Sequence, residues 1–267
     1  MGVNPAPNSP RVDAVELSRA LVRPGSVWVE VASVATTGST NADLVAAARA
    51  GAASGTVLVS DHQSAGRGRF TRVWEAPPGT SLALSVLLRP PAPVPAARWL
   101  WLPLLTGLAV ADGLRAAAGL AVELKWPNDV LAGGRKLCGI LAERVDAGGP
   151  PAAVLGMGIN TTLAEDELPV PTATSVALAG GVVDETALVA AVLEALGTWY
   201  VRWLTGTDLR AEYAARCSSV GRPVRVQLSA EEFVEGDATG VDAEGRLLVR
   251  VAGVERPFAA GDVVHLR

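Results

Sequence analysis

The sequence predicts an α+β fold, one main domain of mingled strands and helices followed by a small all-β domain. Three observations lead there. The chain has 267 residues, long for one compact domain and short for three. From Val27 onward, short β-branched runs alternate with helical patterns. After Gly221 the texture changes to short strands separated by turn signals such as Asp242-Ala243-Glu244-Gly245.

Composition narrows the class. Apolar residues make up 49% and charged residues 19%, which excludes a disordered chain, a collagen-like repeat and a coiled coil. The longest apolar stretch, Trp99 to Ala111, holds a proline and is too short to cross a bilayer, so no membrane association is expected. Met1-Gly2-Val3-Asn4-Pro5 lacks the basic and apolar regions of a signal peptide, and Ala6 stands where a myristoylation signal wants Ser or Thr. A cytoplasmic protein is expected. Cys138, Cys217, His62 and His265 are too few for a disulfide framework or a zinc centre. The net charge of −4 argues against a protein that coats nucleic acid. Of 23 basic residues only Lys125 and Lys136 are lysine. With abundant Ala, Gly, Val and Pro, that skew matches GC-rich coding. A surviving lysine then marks a place where a compact ammonium serves better than a planar fork.

The elements follow in order. Residues 1–26 form a loose arm with at most one helix, from Val12 to Leu21, too short for a helix-turn-helix. Val27 to Val31 and Thr56 to Ser60 read as strands. Ser39-Thr40-Asn41 before an alanine-rich run reads as a capped helix start. Ser81 to Leu88 is continuously apolar, a strand buried on both faces. Pro95 to Ala118 is a helix, Val122 to Trp126 and Arg135 to Val145 are strands about a Gly133-Gly134 turn, and Ala152 to Ile159 is another strand. Glu185 to Leu204 and Asp208 to Ala215 close the main domain, 27–218. In residues 219–267, Val224 to Leu228, Ala238 to Val241, Leu247 to Val251 and Val263 to Leu266 make a small barrel or sandwich.

Four segments carry chemistry. Gly66-Arg67-Gly68-Arg69-Phe70-Thr71-Arg72-Val73-Trp74 interleaves arginine forks, which suit phosphate or carboxylate, with glycines that free the backbone. It lacks the third glycine of a dinucleotide fingerprint, and a solvated basic loop is the plain alternative. Lys125-Trp126-Pro127-Asn128-Asp129 and Arg135-Lys136-Leu137-Cys138-Gly139-Ile140-Leu141 bring both lysines, an amide and a carboxylate to two neighbouring strands. Pro127 is expected to turn Asn128 and Asp129 out of the ladder. Lys125 with Asp129 is equally a structural ion pair. Gly156-Met157-Gly158-Ile159-Asn160 ends a strand with room for close approach. Ser39-Thr40-Asn41 taken alone is a helix cap.

In chain order, residues 66–74, 125–129, 135–141 and 156–160, with Thr37-Gly38-Ser39-Thr40-Asn41 upstream, resemble the biotin protein ligases, relatives of the lipoate ligases. The resemblance covers about residues 27–267, with Cys138 where the family usually has alanine. It implies a mixed β-sheet flanked by helices, the biotinyl/lipoyl ligase catalytic fold, and a C-terminal SH3-like β-barrel. It implies ATP-dependent activation of biotin to biotinoyl-AMP, with Mg²⁺, then transfer to one lysine of a biotin carboxyl carrier domain of acyl-CoA or pyruvate carboxylases. Arg67, Arg69, Lys136 and Asp129 are then the expected catalytic groups. Biotin falls to Ser39, Thr40, Asn41, Gln63, Gly66, Arg67, Lys136 and Gly139. ATP falls to Arg69, Arg72, Trp74, Asn128, Lys136 and Asn160. Asp129 has two candidate duties, a magnesium-bound phosphate or the incoming lysine amine. Since the arm before Val27 holds no helix-turn-helix, no DNA binding is expected, and the resemblance implies a monomer or weak homodimer. A lipoate or octanoate ligase, an RNA-binding module built on the arginine run, and a non-catalytic scaffold are the rival readings.

Overall fold

The strand with the most continuous apolar run lies at the centre of the sheet. β3 (Ser81–Leu88) is buried along its whole length, as a strand covered on both faces should be. β2 (Thr56–Ser60) and β1 (Glu30–Val34) extend the sheet on one side. On the other lie β7 (Ala152–Asn160), β6 (Arg135–Val145), β5 (Asp129–Ala132) and β4 (Glu123–Lys125), giving the order β1-β2-β3-β7-β6-β5-β4. β1 and β2 run parallel and the other neighbours antiparallel, so the sheet is mixed, as the resemblance implies. This computed structural model describes residues 10–70, 72–147 and 149–266. The readings of the first six residues and of Thr71 lie outside them.

Alternation along β3 sorts the two faces. Leu82, Leu84, Val86 and Leu88 join a core with Leu105 and Leu108 of α3 (Trp101–Ala118) and Val192 and Leu196 of α4 (Glu185–Leu204). On the opposite face, α2 (Thr40–Arg49) lays Leu44 and Ala48 over Leu87 and Val154. That cover stops short of Ala83 and Ser85, which face a cavity.

Several elements depart from the sequence reading. The first strand starts at Glu30 rather than Val27, because Trp28 turns into the core and donates its indole N–H to Leu193 O at 3.0 Å. The long apolar helix is preceded by a 3-10 turn, Ala96–Leu100, and Pro103 sits in its first turn, where a missing N–H breaks no bond. The joined run Ala96–Ala118 and the helix Glu185–Leu204 are therefore long and apolar enough to cross a membrane, contrary to the shorter stretch read from sequence. Here 67% of the first helix's most apolar window is buried within the fold, since the two helices pack on each other and on the sheet. The N-terminal segment is not loose over its described part. α1 (Ala14–Leu21), capped by Asp13, buries Leu17 and Leu21, and Arg11 Nη1 stands 2.8 Å from Glu185 Oε1.

The contact between α3 and α4 depends on Gly113. A Cβ there would lie 2.8 Å from Val192 N and 2.9 Å from Val192 Cα, both backbone atoms that cannot swing aside. Gly113→Ala is expected to destabilise by about 2 kcal/mol net of the helix-propensity gain. The Tm should fall by about 4–8 °C in a thermal melt, and an unchanged or raised Tm would contradict this packing.

After α5 (Arg210–Ala214) the chain forms five antiparallel strands: β8 (Pro223–Gln227), β9 (Phe233–Val241), β10 (Leu247–Val251), β11 (Val254–Phe258) and β12 (Asp262–His265). Their order is β11-β10-β9-β8-β12. β11 is absent from the sequence reading, and β9 starts five residues earlier than expected. Two tryptophans outside the sheet, Trp101 at the start of α3 and Trp126 just after β4, bond to this unit: Trp126 Nε1 donates to Gly245 O at 3.1 Å and Trp101 Nε1 to Ala243 O at 2.8 Å.

Candidate active site

The open sheet face is floored by glycine. In the β6–β7 ladder Gly139 pairs with Gly158, and Leu141 with Gly156, so alternation aims these positions at one face. The missing side chains of Gly139, Gly156 and Gly158 leave a cavity of about 300 Å³. Its walls are the α2 N-terminus, the arginine loop and the edge of β12.

Lys136 reaches this face through a bulge. Between β5 and β6 the register shifts so that Val130 faces Cys138 while Leu131 faces Lys136, which leaves Leu137 as the extra residue. The shift puts Lys136 on the same side as Gly139, whose absent Cβ would lie 3.3 Å from Lys136 Nζ. Thr172 O and Thr174 N pin the Lys136 backbone at 2.7 and 2.8 Å. Its ammonium lies 2.6 Å from Asp129 Oδ1. Asp129 is thus not turned out of the ladder, as Pro127 led the sequence reading to expect. It opens β5, an unanticipated strand, opposite Lys125 on one side and Gly139 on the other.

The arginine loop folds back on itself. Trp74 N donates to Gly66 O at 3.0 Å and Gly68 N to Arg72 O at 2.8 Å. Trp74 lies on the glycine floor, so close that a Cβ at Gly158 would come within 2.5 Å of its ring. Lys136 Nζ stands 5.8 Å from the centre of that ring, and the indole N–H has no acceptor among the described residues. Each loop arginine meets a carboxylate. Arg67 Nη2 is 2.9 Å from Glu143 Oε2. Arg69 donates to Asn128 Oδ1 at 3.0 Å, Gly261 O at 3.3 Å and Asp262 Oδ1 at 3.2 Å. Arg72 pairs with the other oxygen of Asp262. Burial pushes the Arg69 guanidinium below its ordinary value, against the pull of Asp262 and Asp129. The loop is thus held by its pairings, although Arg67, Phe70, Arg72 and Val73 stay exposed.

The end of the cavity beneath α2 is neutral and polar. Ser39 caps the helix through its hydroxyl, and Gln63 Oε1 accepts from Thr40 N at 2.8 Å. Ser39, Thr40, Asn41, Gln63, Arg67, Arg69, Arg72, Trp74, Asn128, Asp129, Lys136 and Gly139 all line the one cavity. Two expected residues do not. Gly66 stands behind the loop, where a Cβ would strike the Trp74 carbonyl. Asn160 is buried and donates its amide to Thr174 O at 2.9 Å. Sequence reasoning missed Glu143, which a period of two from Gly139 and Leu141 would have placed on this face. It also missed Ser85 and Asp262. For Asp262 no local signal exists, because a distant barrel strand delivers it.

Five basic side chains line the cavity against two carboxylates, Asp129 and Asp262. Such a site suits a ligand with several anionic groups at one end and uncharged polar groups at the other. No group of three or more His, Cys, Asp or Glu able to hold a metal occurs among the described residues. Asp129, the expected metal contact, already faces Lys136.

Comparison with known proteins gives the same outline. Residues 35–160 match the biotin/lipoate A/B protein ligase family and residues 220–266 the biotin protein ligase C-terminal domain. The chain is 43% identical to a biotin–[acetyl-CoA-carboxylase] ligase of Mycobacterium tuberculosis over 97% of each sequence. It is 33% identical to a bifunctional ligase/repressor of Bacillus spizizenii, over 77% of this chain and 65% of that one. The biotin protein ligase of Aquifex aeolicus in complex with biotin and ATP superposes with a TM-score of 0.75 at 25% identity, over 90% of this chain and 100% of that one.

Proposed function

From the premise that this chain belongs to the biotin protein ligase family, we propose how its cavity divides the labour of the reaction. The enzyme uses ATP to activate biotin and passes the biotinoyl group to a carrier protein. In the first half-reaction a biotin carboxylate oxygen attacks the α-phosphorus of ATP, and pyrophosphate leaves with the electrons of the broken P–O bond. In the second, a carrier lysine amine attacks the acyl carbon, AMP leaves, and the amine loses a proton.

The observation that carries the assignment is the pairing of a cationic end with a neutral polar end in one cavity. Two anions must meet in the first step, so positioning and charge neutralisation are the main demands. Lys136, a compact cation at the glycine floor, serves the biotin carboxylate and the α-phosphate. Arg67, Arg69 and Arg72 take the remaining phosphate charge, and the nucleotide displaces Asp262 from the last two. Ser39, Thr40 and Gln63 hydrogen-bond the ureido ring, with Asn41 behind them and Gly139 giving room. Trp74 walls the junction and keeps water from the mixed anhydride. Asn128, already holding Arg69, borders the nucleotide. Asp129 holds Lys136 and faces the incoming lysine amine. Without a built metal centre, Mg²⁺ is read as arriving with the phosphates of ATP, the usual manner for an ion that keeps several waters.

The carrier is a biotin carboxyl carrier domain of an acyl-CoA or pyruvate carboxylase. Incubating the enzyme with biotin, MgATP and an isolated carrier domain should add one biotinoyl group to one lysine, read by intact mass. A carrier with that lysine changed to Arg should stay unmodified. Labelling spread over many lysines, or none at all, would contradict the reading.

A further inference from the structure

Beneath the cavity runs a line of polar side chains, two of which, Ser85 and Glu143, the scheme above does not use. Asn41 Nδ2 donates to Glu143 Oε2 at 2.8 Å and to Leu141 O at 3.2 Å. Ser85 Oγ donates to Asn41 Oδ1 at 2.7 Å, and Thr40 Oγ1 lies 2.7 Å from Ser85 Oγ. Thr40, Asn41 and Ser85 are all buried. The sheet makes room for this line: a Cβ at Gly156, the residue opposite Ser85, would lie 2.8 Å from Asn41 Cγ. One end of the line opens at Thr40 and Gln63 in the polar end of the cavity, and the other is the carboxylate that holds Arg67.

Proton counting gives the line a direction. An ionised carboxylate only accepts, so the Asn41 amide must present its NH₂ to Glu143 and its oxygen to Ser85. The single proton of Ser85 is then committed to Asn41. The Thr40 proton has two acceptors within reach, Ser85 Oγ at 2.7 Å and Gln63 Oε1 at 3.1 Å. The nearer of them, Ser85 Oγ, has just given its own proton away and is the better acceptor in a polarised chain. Gln63 Oε1 is in any case supplied by Thr40 N. Thr40 Oγ1 is thereby left with lone pairs facing the cavity.

We infer that Glu143 is a positioning residue for the ligase reaction: its charge sets the direction of the Asn41–Ser85–Thr40 chain, so that Thr40 presents an acceptor to a ureido N–H, while the same carboxylate holds Arg67 of the loop. This inference rests on the ureido reading of the Thr40 end. It makes one group responsible for both ends of the site, the polar recognition and the first arginine.

A double-mutant cycle on the full chain tests it, using steady-state ATP–pyrophosphate exchange with biotin. Glu143→Gln keeps the length of the side chain, removes its charge and frees the amide to face either way. Ser85→Ala cuts the chain without touching Glu143 or Arg67. Each should raise the KM for biotin about tenfold; Ser85→Ala should leave the KM for ATP within about twofold, whereas Glu143→Gln, which also loosens Arg67, should raise it as well. The double variant should be no worse than the poorer single one, since both break one line. Additive effects, an unchanged biotin KM, or a fall in kcat alone with lowered Tm would overturn the inference and leave Glu143 a structural residue. Absence of biotin-dependent exchange in the unaltered enzyme would instead overturn the function proposed for the cavity.

Discussion

Lys136→Ala is expected to lower biotin-dependent ATP–pyrophosphate exchange by about 10³-fold or more, the order lost when a main electrostatic group is removed from an active site. The ammonium sits on the glycine floor beside Trp74 and Asp129, where a carboxylate and an α-phosphate would approach each other. The three loop arginines are already assigned to the phosphate charge, and none of them starts from the glycine floor, where Lys136 Nζ lies 3.3 Å from the position of a Gly139 Cβ. The fold should persist, since the Lys136 backbone is held by Thr172 and Thr174 independently of its side chain. Lys136→Arg should restore little, for a planar fork does not fit over the floor as a small cation does. Exchange within threefold of the unaltered enzyme in Lys136→Ala would remove this residue from the chemistry.

Gly158→Ala should have the next largest effect. The backbone there is an ordinary strand that tolerates alanine, but the added methyl would stand 2.5 Å from Trp74 Cε2 and 2.7 Å from Cζ2. The indole must then leave the floor, and with it the end of the arginine loop, which is tied at Trp74 N to Gly66 O. A displacement of about 1 Å in a positioning wall costs about 10² in rate, so kcat/KM for biotin should fall by that order while Tm changes little. An unchanged kcat/KM would mean that Trp74 does not need to lie where this structure has it.

Both predictions turn on strand positions, and these divide what the sequence made legible from what it did not. β2, β3, β10 and α4 were readable because their pattern and their boundaries coincide: long apolar runs closed by turn residues or a capping Asp184. β5 and β11 were hidden by brevity, four and five residues lodged between turns. In β9, Glu235-Gly236-Asp237 has little strand propensity, and pairing with β8 and β10 overrides it. The site shows the same division. The arginine run and both lysines stood out by composition, and the structure brings them to one cavity. Glu143 lay within a recognised strand, unremarked because a bulge at Leu137 obscures the alternation that links it to Lys136. Asp262 depends on a contact between residues some two hundred positions apart, and such contacts leave no trace in a local pattern. Asn160, in a suggestive motif, lies outside the cavity lining and donates its amide to Thr174 O.

ATP–pyrophosphate exchange by the purified enzyme with Mg²⁺, offered biotin, lipoate, octanoate or an amino acid mixture in turn, tests the assignment of the cavity most directly. Exchange with biotin and not with the others is the predicted result, because only biotin carries both a carboxylate for the Lys136 end and a ureido ring for Ser39, Thr40 and Gln63. Exchange with lipoate or octanoate in place of biotin, or none with any of them, would contradict it.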